Sequence, residues 1–148
     1  MRDLDENDIA DAVALAEEKH RTQIDKRGKP YIEHILSVAA RVRHLGPRFE
    51  ITALLHDIVE DTDIRPEELH TRFGDEVADA VECLTRREGQ DYFGEYLDAI
   101  VANPIARQVK YADSSDNLAK VDGLTDPAQR ARFQAKYRRV LDRLRPHI

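Results

Sequence analysis

Apolar residues recur at intervals of three and four along most of this chain, which is the spacing of an amphipathic helix. No stretch shows the strict alternation of apolar and polar residues that is typical of a half-buried strand. Glycine and proline mark the breaks, as at Gly46-Pro47 and Gly74, because both residues end helices or permit turns. The pattern predicts about eight helices, over residues 7–19, 32–44, 49–61, 66–73, 75–85, 92–101, 104–120 and 127–144.

Two of these helices have clear start signals. Asn103 and Asp126 each precede a proline, so that the side chain caps the helix and proline takes the first helical position.

The chain of 148 residues has the length of one domain, and a domain of this size buries roughly two thirds of its unfolded surface. We therefore expect an all-α protein, with residues 1–148 forming a single compact helical bundle.

Composition and charge narrow the functional classes. The net charge of -6 argues against a nucleic-acid binder, which would normally carry a basic face. Cys83 is the only cysteine, so a disulfide framework and a cysteine zinc site are both excluded, and its apolar neighbours predict a buried, unreactive thiol. No segment approaches the roughly 18 apolar residues of a membrane helix, and the acidic start is unlike a signal peptide. We expect a cytoplasmic protein without a membrane partner, and its oligomeric state stays open.

The last predicted helix, residues 127–144, is strongly basic although the rest of the chain is acidic. Such a helix is either a contact surface or a solvated face whose apolar side chains turn inward. We expect the second arrangement, with these side chains inward: Phe133, Tyr137, Val140 and Leu144.

The segment from Thr52 to Thr62 carries the strongest candidate chemistry. At about 100° per residue its apolar side chains share one arc of a helix. The other arc holds four groups that bind metals or move protons: His56, Asp57, Glu60 and Asp61. A solvated acidic face gives the same pattern, but no lysine or arginine on this face neutralises the acids. Uncompensated acids beside a histidine favour a divalent cation.

Two further residues extend this pattern. His34 follows a Gly-x-Pro-Tyr turn, and Asp113 lies in a later predicted helix. A His, then a His-Asp doublet, then an Asp resembles the pattern of the HD-domain metal-dependent phosphohydrolases. Residues 10–118 are similar to the (p)ppGpp hydrolase branch, which includes the Rel/SpoT hydrolase domains and stand-alone relatives. The stretches that carry this similarity are AEEKHRTQIDKRGKPYIEHILSVA, ALLHDIVEDT, RFGDEVADAVECLTR and VKYADSSDNL.

The resemblance implies a role for each of these residues. Carried over position by position, it implies one divalent ion held by four ligands: His34, His56, Asp57 and Asp113. The ion is usually manganese in that branch, and two imidazoles with two carboxylates also suit iron, cobalt or zinc. Glu60 and Asp61 match the pair that orients and deprotonates water and protonates the leaving group.

The resemblance also implies a small phosphorylated substrate, a nucleotide. Lys26 stands where the family has a basic phosphate or nucleotide contact, and Asn117 follows Asp113 by one helical turn. A solvated loop lysine and a hydrogen-bonding amide inside a helix are the alternatives for these two residues. Tyr31 is expected to pack beside His34 rather than to take part in catalysis.

Four positions depart from the branch. Asp25 stands where an arginine usually precedes the lysine, and Ser114 stands where arginine or lysine is common, while Thr22 and Ile35 replace a glycine and a proline. A carboxylate cannot make the contacts of a guanidinium with a guanine or a phosphate.

These departures leave three interpretations of the sequence. The first is a stand-alone guanosine 3′,5′-bis(diphosphate) 3′-pyrophosphohydrolase. The second is a phosphatase or nucleotidase of the same superfamily that acts on another nucleotide or phosphate ester. The third is an inactive regulatory module that binds a metal or a nucleotide.

Overall fold

The structure, a computed structural model, describes residues 2–148. Within them the only extended pairing is an isolated bridge between Ile24 and Pro30, so the all-α prediction is confirmed. This part of the chain contains nine α-helices: α1 (Glu6–His20), α2 (Tyr31–Val42), α3 (Pro47–Leu55), α4 (Ile58–Asp61), α5 (Pro66–Phe73), α6 (Asp75–Leu84), α7 (Leu97–Ala102), α8 (Pro104–Ala119) and α9 (Pro127–Leu144). The shorter turns are 3₁₀ at Arg43–Leu45, Val121–Gly123 and Arg145–His147, and π-helical at Tyr92–Tyr96.

Helix α3 lies at the centre of the bundle. It contacts α1, α2, α6 and α8, and all its residues from 50 to 55 are buried. Ile35 of α2, Ile51 of α3 and Ile58 of α4 belong to one cluster of buried apolar side chains and are fully excluded from solvent. Burial of such a side chain contributes about 1.5–3 kcal/mol. The helices that carry the candidate site are therefore fixed by the core.

Most predicted helix boundaries agree with the structure to within one or two residues. The helices predicted at 66–73 and 127–144 agree at both ends. Asn103 Oδ1 accepts hydrogen bonds from two backbone N–H groups in the first turn of α8, at 3.0 and 2.9 Å. Asp126 Oδ1 accepts one from the first turn of α9, at 3.1 Å. The predicted capping side chains therefore start both helices.

The prediction of one helix over residues 49–61 is wrong at its centre, because the His-Asp doublet separates α3 from α4. His56 Nδ1 lies 2.6 Å from the carbonyl oxygen of Ala53. In a continuous helix that oxygen would accept the backbone N–H of Asp57. Asp57 instead has φ −107° and ψ 2°, a sparsely populated backbone region in which many active-site residues lie. The doublet therefore forms a corner between two helices.

The expectations about exposure have mixed outcomes. Cys83 is half-buried rather than buried, and burial, with help from nearby carboxylates, raises the pKa of its thiol. Val140 and Leu144 are buried as expected, whereas Phe133 and Tyr137 are half-buried. Within residues 2–148, none of the helices has both the length and the apolar character that a membrane span requires.

Candidate active site

The four predicted metal ligands converge from three places in the bundle. His34 comes from α2, His56 and Asp57 come from the corner, and Asp113 comes from α8. His34 Nε2 lies 2.8 Å from Asp113 Oδ1. His56 Nε2 lies 3.1 Å from Asp57 Oδ2 and 3.5 Å from Asp113 Oδ1. The structure therefore brings His34, His56 and Asp57 into one cluster of possible ligand atoms, and Asp113 contacts both imidazoles beside it.

The corner orients His56 toward this cluster. The Nδ1 atom faces the Ala53 carbonyl at 2.6 Å and donates its proton to it, so Nε2 is the ring nitrogen that faces the carboxylates. This Nε2 atom is buried and makes no hydrogen bond with any residue that the structure describes, although carboxylate oxygens lie close to it. A buried imidazole nitrogen beside carboxylates, without a hydrogen-bond partner, fits a divalent cation with nitrogen and oxygen ligands.

His34 is oriented by Asp116, a residue that the sequence analysis missed. Asp116 Oδ2 lies 2.8 Å from His34 Nδ1, and the same buried carboxylate accepts hydrogen bonds from Ser37 Oγ at 2.5 Å and Lys120 Nζ at 2.7 Å. A carboxylate on the outer nitrogen fixes the tautomer and the ring plane of a ligating histidine. The sequence does carry one indication of this role, because Asp116 follows Asp113 by three residues and so lies on the same side of a helix.

The two carboxylates at the centre are ionised. Burial alone would raise the pKa of Asp113, but the Lys110 ammonium, 3.3 Å from its Oδ2 atom, and the two imidazoles hold that pKa well below its usual range. Burial opposes ionisation of Asp57 as well, and the neighbouring His56 outweighs it and lowers the pKa of Asp57. One buried and one half-buried anion beside two imidazoles provide the charge that a divalent cation requires.

Tyr31 packs beside His34 as expected, and its hydroxyl also contacts a predicted metal ligand. Its hydroxyl donates a hydrogen bond to Asp57 Oδ2, and its ring lies against the rings of His20 and His34. Burial, reinforced by the negative charge of Asp57, raises the pKa of Tyr31 far above its ordinary value. The phenol therefore stays protonated and orients one carboxylate oxygen.

Glu60 and Asp61, the predicted proton-transfer pair, lie on α4 directly after the corner. Glu60 Oε1 accepts a hydrogen bond from the backbone N–H of Arg86 at 2.8 Å, which ties it to the loop after α6. Burial, followed by the negative charges of Asp57 and Glu60, raises the pKa of Asp61 to about 6. A carboxyl group with a pKa near neutrality is suited to proton transfer at cellular pH.

A cavity of about 200 Å³ opens beside His34 and Tyr31. Both predicted substrate-binding residues, Lys26 and Asn117, line it, and so does Tyr137 of α9. Asn117 Nδ2 also donates to Asp113 Oδ1 at 3.3 Å, which links the cavity to the ligand cluster. The contribution of α9 was missed because its basic sequence is also typical of a solvated surface.

Asp25 and Ser114, which stand where the branch has basic residues, are both accommodated by the structure. Asp25 pairs with Arg27 Nη2 at 2.9 Å and accepts hydrogen bonds from the backbone N–H groups of Arg27 and Lys29, at 2.8 and 3.0 Å. Burial opposes its ionisation, but these contacts lower the pKa of Asp25. Ser114 is buried within α8. Arg27 and the two backbone N–H groups thus compensate the charge of Asp25. Asp25 therefore makes no ion pair with the neighbouring Lys26.

Comparison with known proteins decides the family. The model of the HD domain family matches residues 12–142. This chain belongs to the HD domain family. The predicted family is therefore confirmed, and membership implies dependence on a divalent metal.

Similar proteins are known from bacteria and animals. The HD domain is 38% identical over 120 residues to a guanosine-3′,5′-bis(diphosphate) 3′-pyrophosphohydrolase of Aquifex aeolicus, covering 75% of this chain and 17% of that protein. It is 35% identical over 143 residues to the guanosine-3′,5′-bis(diphosphate) 3′-pyrophosphohydrolase MESH1 of Danio rerio, covering 87% of this chain and 77% of that one. The chain therefore spans less than a fifth of the bacterial relative and about three quarters of the zebrafish relative.

A solved structure has the same architecture. It is described as a metazoan ortholog of SpoT that hydrolyzes ppGpp, and it superposes with a TM-score of 0.82 at 25% identity. The match covers 99% of this chain and 90% of that one, so the fold agrees over nearly the whole HD domain.

Proposed function

We propose that this HD domain is a metal-dependent phosphohydrolase that removes the 3′-diphosphate group from guanosine 3′,5′-bis(diphosphate). The observation that carries the proposal is the convergence of the four predicted metal ligands beside a cavity lined by Lys26 and Asn117. The names of the bacterial and zebrafish relatives support the choice of substrate. We propose manganese as the ion, held by His34, His56, Asp57 and Asp113.

The reaction exchanges one phosphorus–oxygen bond for another. The oxygen of water bonds to the phosphorus atom next to the ribose, and the bond from that phosphorus to the ribose 3′ oxygen breaks. The released oxygen takes a proton, which gives guanosine 5′-diphosphate and pyrophosphate. A bound divalent ion lowers the pKa of water and offsets negative charge on the phosphoryl oxygens.

The side chains of the chain divide the remaining tasks. Asp61, with its pKa raised to about 6, accepts the proton of the attacking water. Asp61 then returns that proton to the leaving ribose oxygen, while Glu60, fixed by the Arg86 backbone beside it, orients the attacking water. Tyr31 holds Asp57 in place, and Lys26 offers its ammonium to a phosphate group.

The test is pyrophosphate release from guanosine 3′,5′-bis(diphosphate) by the purified protein supplied with manganese. We expect release by the wild-type protein and none by Asp57→Ala. The matched control is Asp63→Ala, which removes an exposed carboxylate beyond the same corner and leaves the site intact. Absence of release with manganese, cobalt, iron and zinc in turn, although the metal binds, would falsify the proposal.

A panel of nucleotides and sugar phosphates separates the other interpretations. Faster hydrolysis of a compound without guanine would keep the phosphohydrolase and replace its substrate. Binding of metal and nucleotide without turnover of any compound would instead indicate a regulatory module.

A further inference from the structure

Helix α9 brings a lysine to the edge of the candidate site. Lys136 is half-buried, and its Nζ atom lies 4.6 Å from the centroid of the Tyr92 ring. Lys110 Nζ lies 5.3 Å from the centroid of the same ring and 3.3 Å from Asp113 Oδ2. The Tyr92 ring therefore connects Lys136 to the lysine that contacts a predicted metal ligand.

A second lysine reaches α9 from the loop before α2. Lys26 Nζ lies 4.6 Å from the centroid of the Phe133 ring, and Phe133 stacks on Tyr137 with centroids 5.9 Å apart. Tyr137 and Lys26 both line the cavity. Contacts of an ammonium with an aromatic ring are attractive and hold the lysine without neutralising it.

These lysines differ from others near the site in having no acidic partner. Within residues 2–148, neither Lys26 nor Lys136 lies within 4 Å of a carboxylate oxygen, whereas Lys110 and Lys120 both do. Burial, followed by the like charges of Lys110 and Lys26, lowers the pKa of Lys136. Converging ammonium groups repel one another, and a bound anion relieves that repulsion.

We propose that Lys136, with Lys26, forms an anion subsite that binds a phosphate group of the nucleotide. The inference rests on the proposed function for the identity of the nucleotide. In this arrangement α9 supplies a cation beside a cavity in which Asp25 stands in place of a basic residue. Lys136 is therefore a determinant of substrate affinity.

The first test compares the steady-state kinetics of Lys136→Gln with those of the wild type on guanosine 3′,5′-bis(diphosphate) with manganese. Loss of a hydrogen bond to a charged group predicts a KM roughly tenfold higher or more. We expect kcat to stay within about threefold, because Lys136 lies outside the ligand cluster. Lys136→Arg retains the charge and should restore most of the affinity.

The matched control is Arg138→Gln, which removes the same charge from an exposed position of the same helix. We expect its KM to equal that of the wild type. If Lys136→Gln and Arg138→Gln behave alike, the general charge of α9 is responsible, and the subsite does not exist.

A binding measurement separates this inference from the proposed function. Inorganic pyrophosphate is titrated calorimetrically into each variant, with manganese at the same concentration in both solutions. We expect roughly tenfold weaker binding by Lys136→Gln alone. If this result appears and no nucleotide is hydrolysed, the subsite stands and the proposed activity fails. Equal binding by all variants overturns the subsite even if the wild type is active.

Discussion

The candidate site has two walls that are built differently. We call His34, His56, Asp57, Asp61 and Asp113 the acidic wall, and Lys26, Lys136 and Tyr137 the basic wall. In the acidic wall, most polar groups are fixed by a named hydrogen bond or ion pair. In the basic wall, aromatic rings hold the lysines, and within residues 2–148 no carboxylate oxygen lies within 4 Å of them. The first suits a cation that remains bound, and the second suits an anion that enters and leaves.

The largest effect on activity is expected from a substitution of Asp113, which contacts Lys110. Asp113→Asn removes a predicted metal ligand and leaves Lys110 buried without its partner. We expect loss of bound metal and at least a hundredfold lower activity. We also expect a free energy of unfolding about 3 kcal/mol lower in the metal-free protein, because a buried charge is left uncompensated. Elemental analysis, product release and urea unfolding measure the three quantities.

The control for this variant is Asp122→Asn, which changes an exposed carboxylate shortly after α8. It should match the wild type in all three measurements. Retention of one metal ion per chain by Asp113→Asn would contradict the assignment of Asp113 as a ligand.

An intermediate effect, on metal affinity, is expected from a substitution of Asp116, which lies behind the acidic wall. Asp116→Asn keeps the shape of the side chain but removes the charge that fixes His34. Loss of such an outer partner typically weakens metal binding about 10- to 100-fold. We expect that weakening in a metal titration, with kcat at saturating manganese within about threefold of the wild type. A large loss of kcat with unchanged metal affinity would show that Asp116 acts otherwise.

A smaller effect is expected from the titration of Asp61, which makes the stability of the protein depend on pH. The pKa of Asp61 lies at about 6 in the folded protein and near 3.8 ordinarily, so the folded state binds this proton more tightly. Its contribution to stability is therefore present below about pH 4 and lost as the pH rises through 6.

The matched comparison uses Asp61→Asn with both proteins free of metal. Relative to this variant, the wild type should lose about 1 kcal/mol of unfolding free energy between pH 4 and 7, a value kept low because solvent screens a carboxylate that is only partly buried. Parallel pH profiles of the two proteins would mean that Asp61 titrates normally.

The smallest effect, on KM, is expected from a substitution of Asp25 in the loop beside the basic wall. Asp25→Asn weakens the pairing with Arg27 but leaves an oxygen that still accepts the backbone N–H groups. Because the charge of Asp25 is already compensated, we expect KM for guanosine 3′,5′-bis(diphosphate) to change by less than about threefold. A tenfold decrease in KM would show instead that Asp25 repels the substrate.

The difference between the walls also explains what could be predicted from the sequence. Helix spacing and capping residues are local, so the boundaries of α5 and α9 were accessible, and the resemblance supplied the members of the acidic wall. The corner at His56 was not accessible, because it depends on a side chain that binds a carbonyl of its own helix.

The basic wall was harder to predict for a physical reason. Lys136 and Tyr137 are distant in sequence from the doublet and reach the site only because α9 packs against α8. A basic amphipathic helix has the same periodicity whether its polar side faces solvent or a cleft. The tertiary arrangement decides which of the two applies.

The corner between α3 and α4 has a consequence for protein design. A designer who copies His56 and Asp57 onto a straight helix would reproduce the spacing but lose the carbonyl that aims the imidazole. Transplanting this centre into a new scaffold would therefore require the interrupted backbone from Ala53 to Ile58 as one unit.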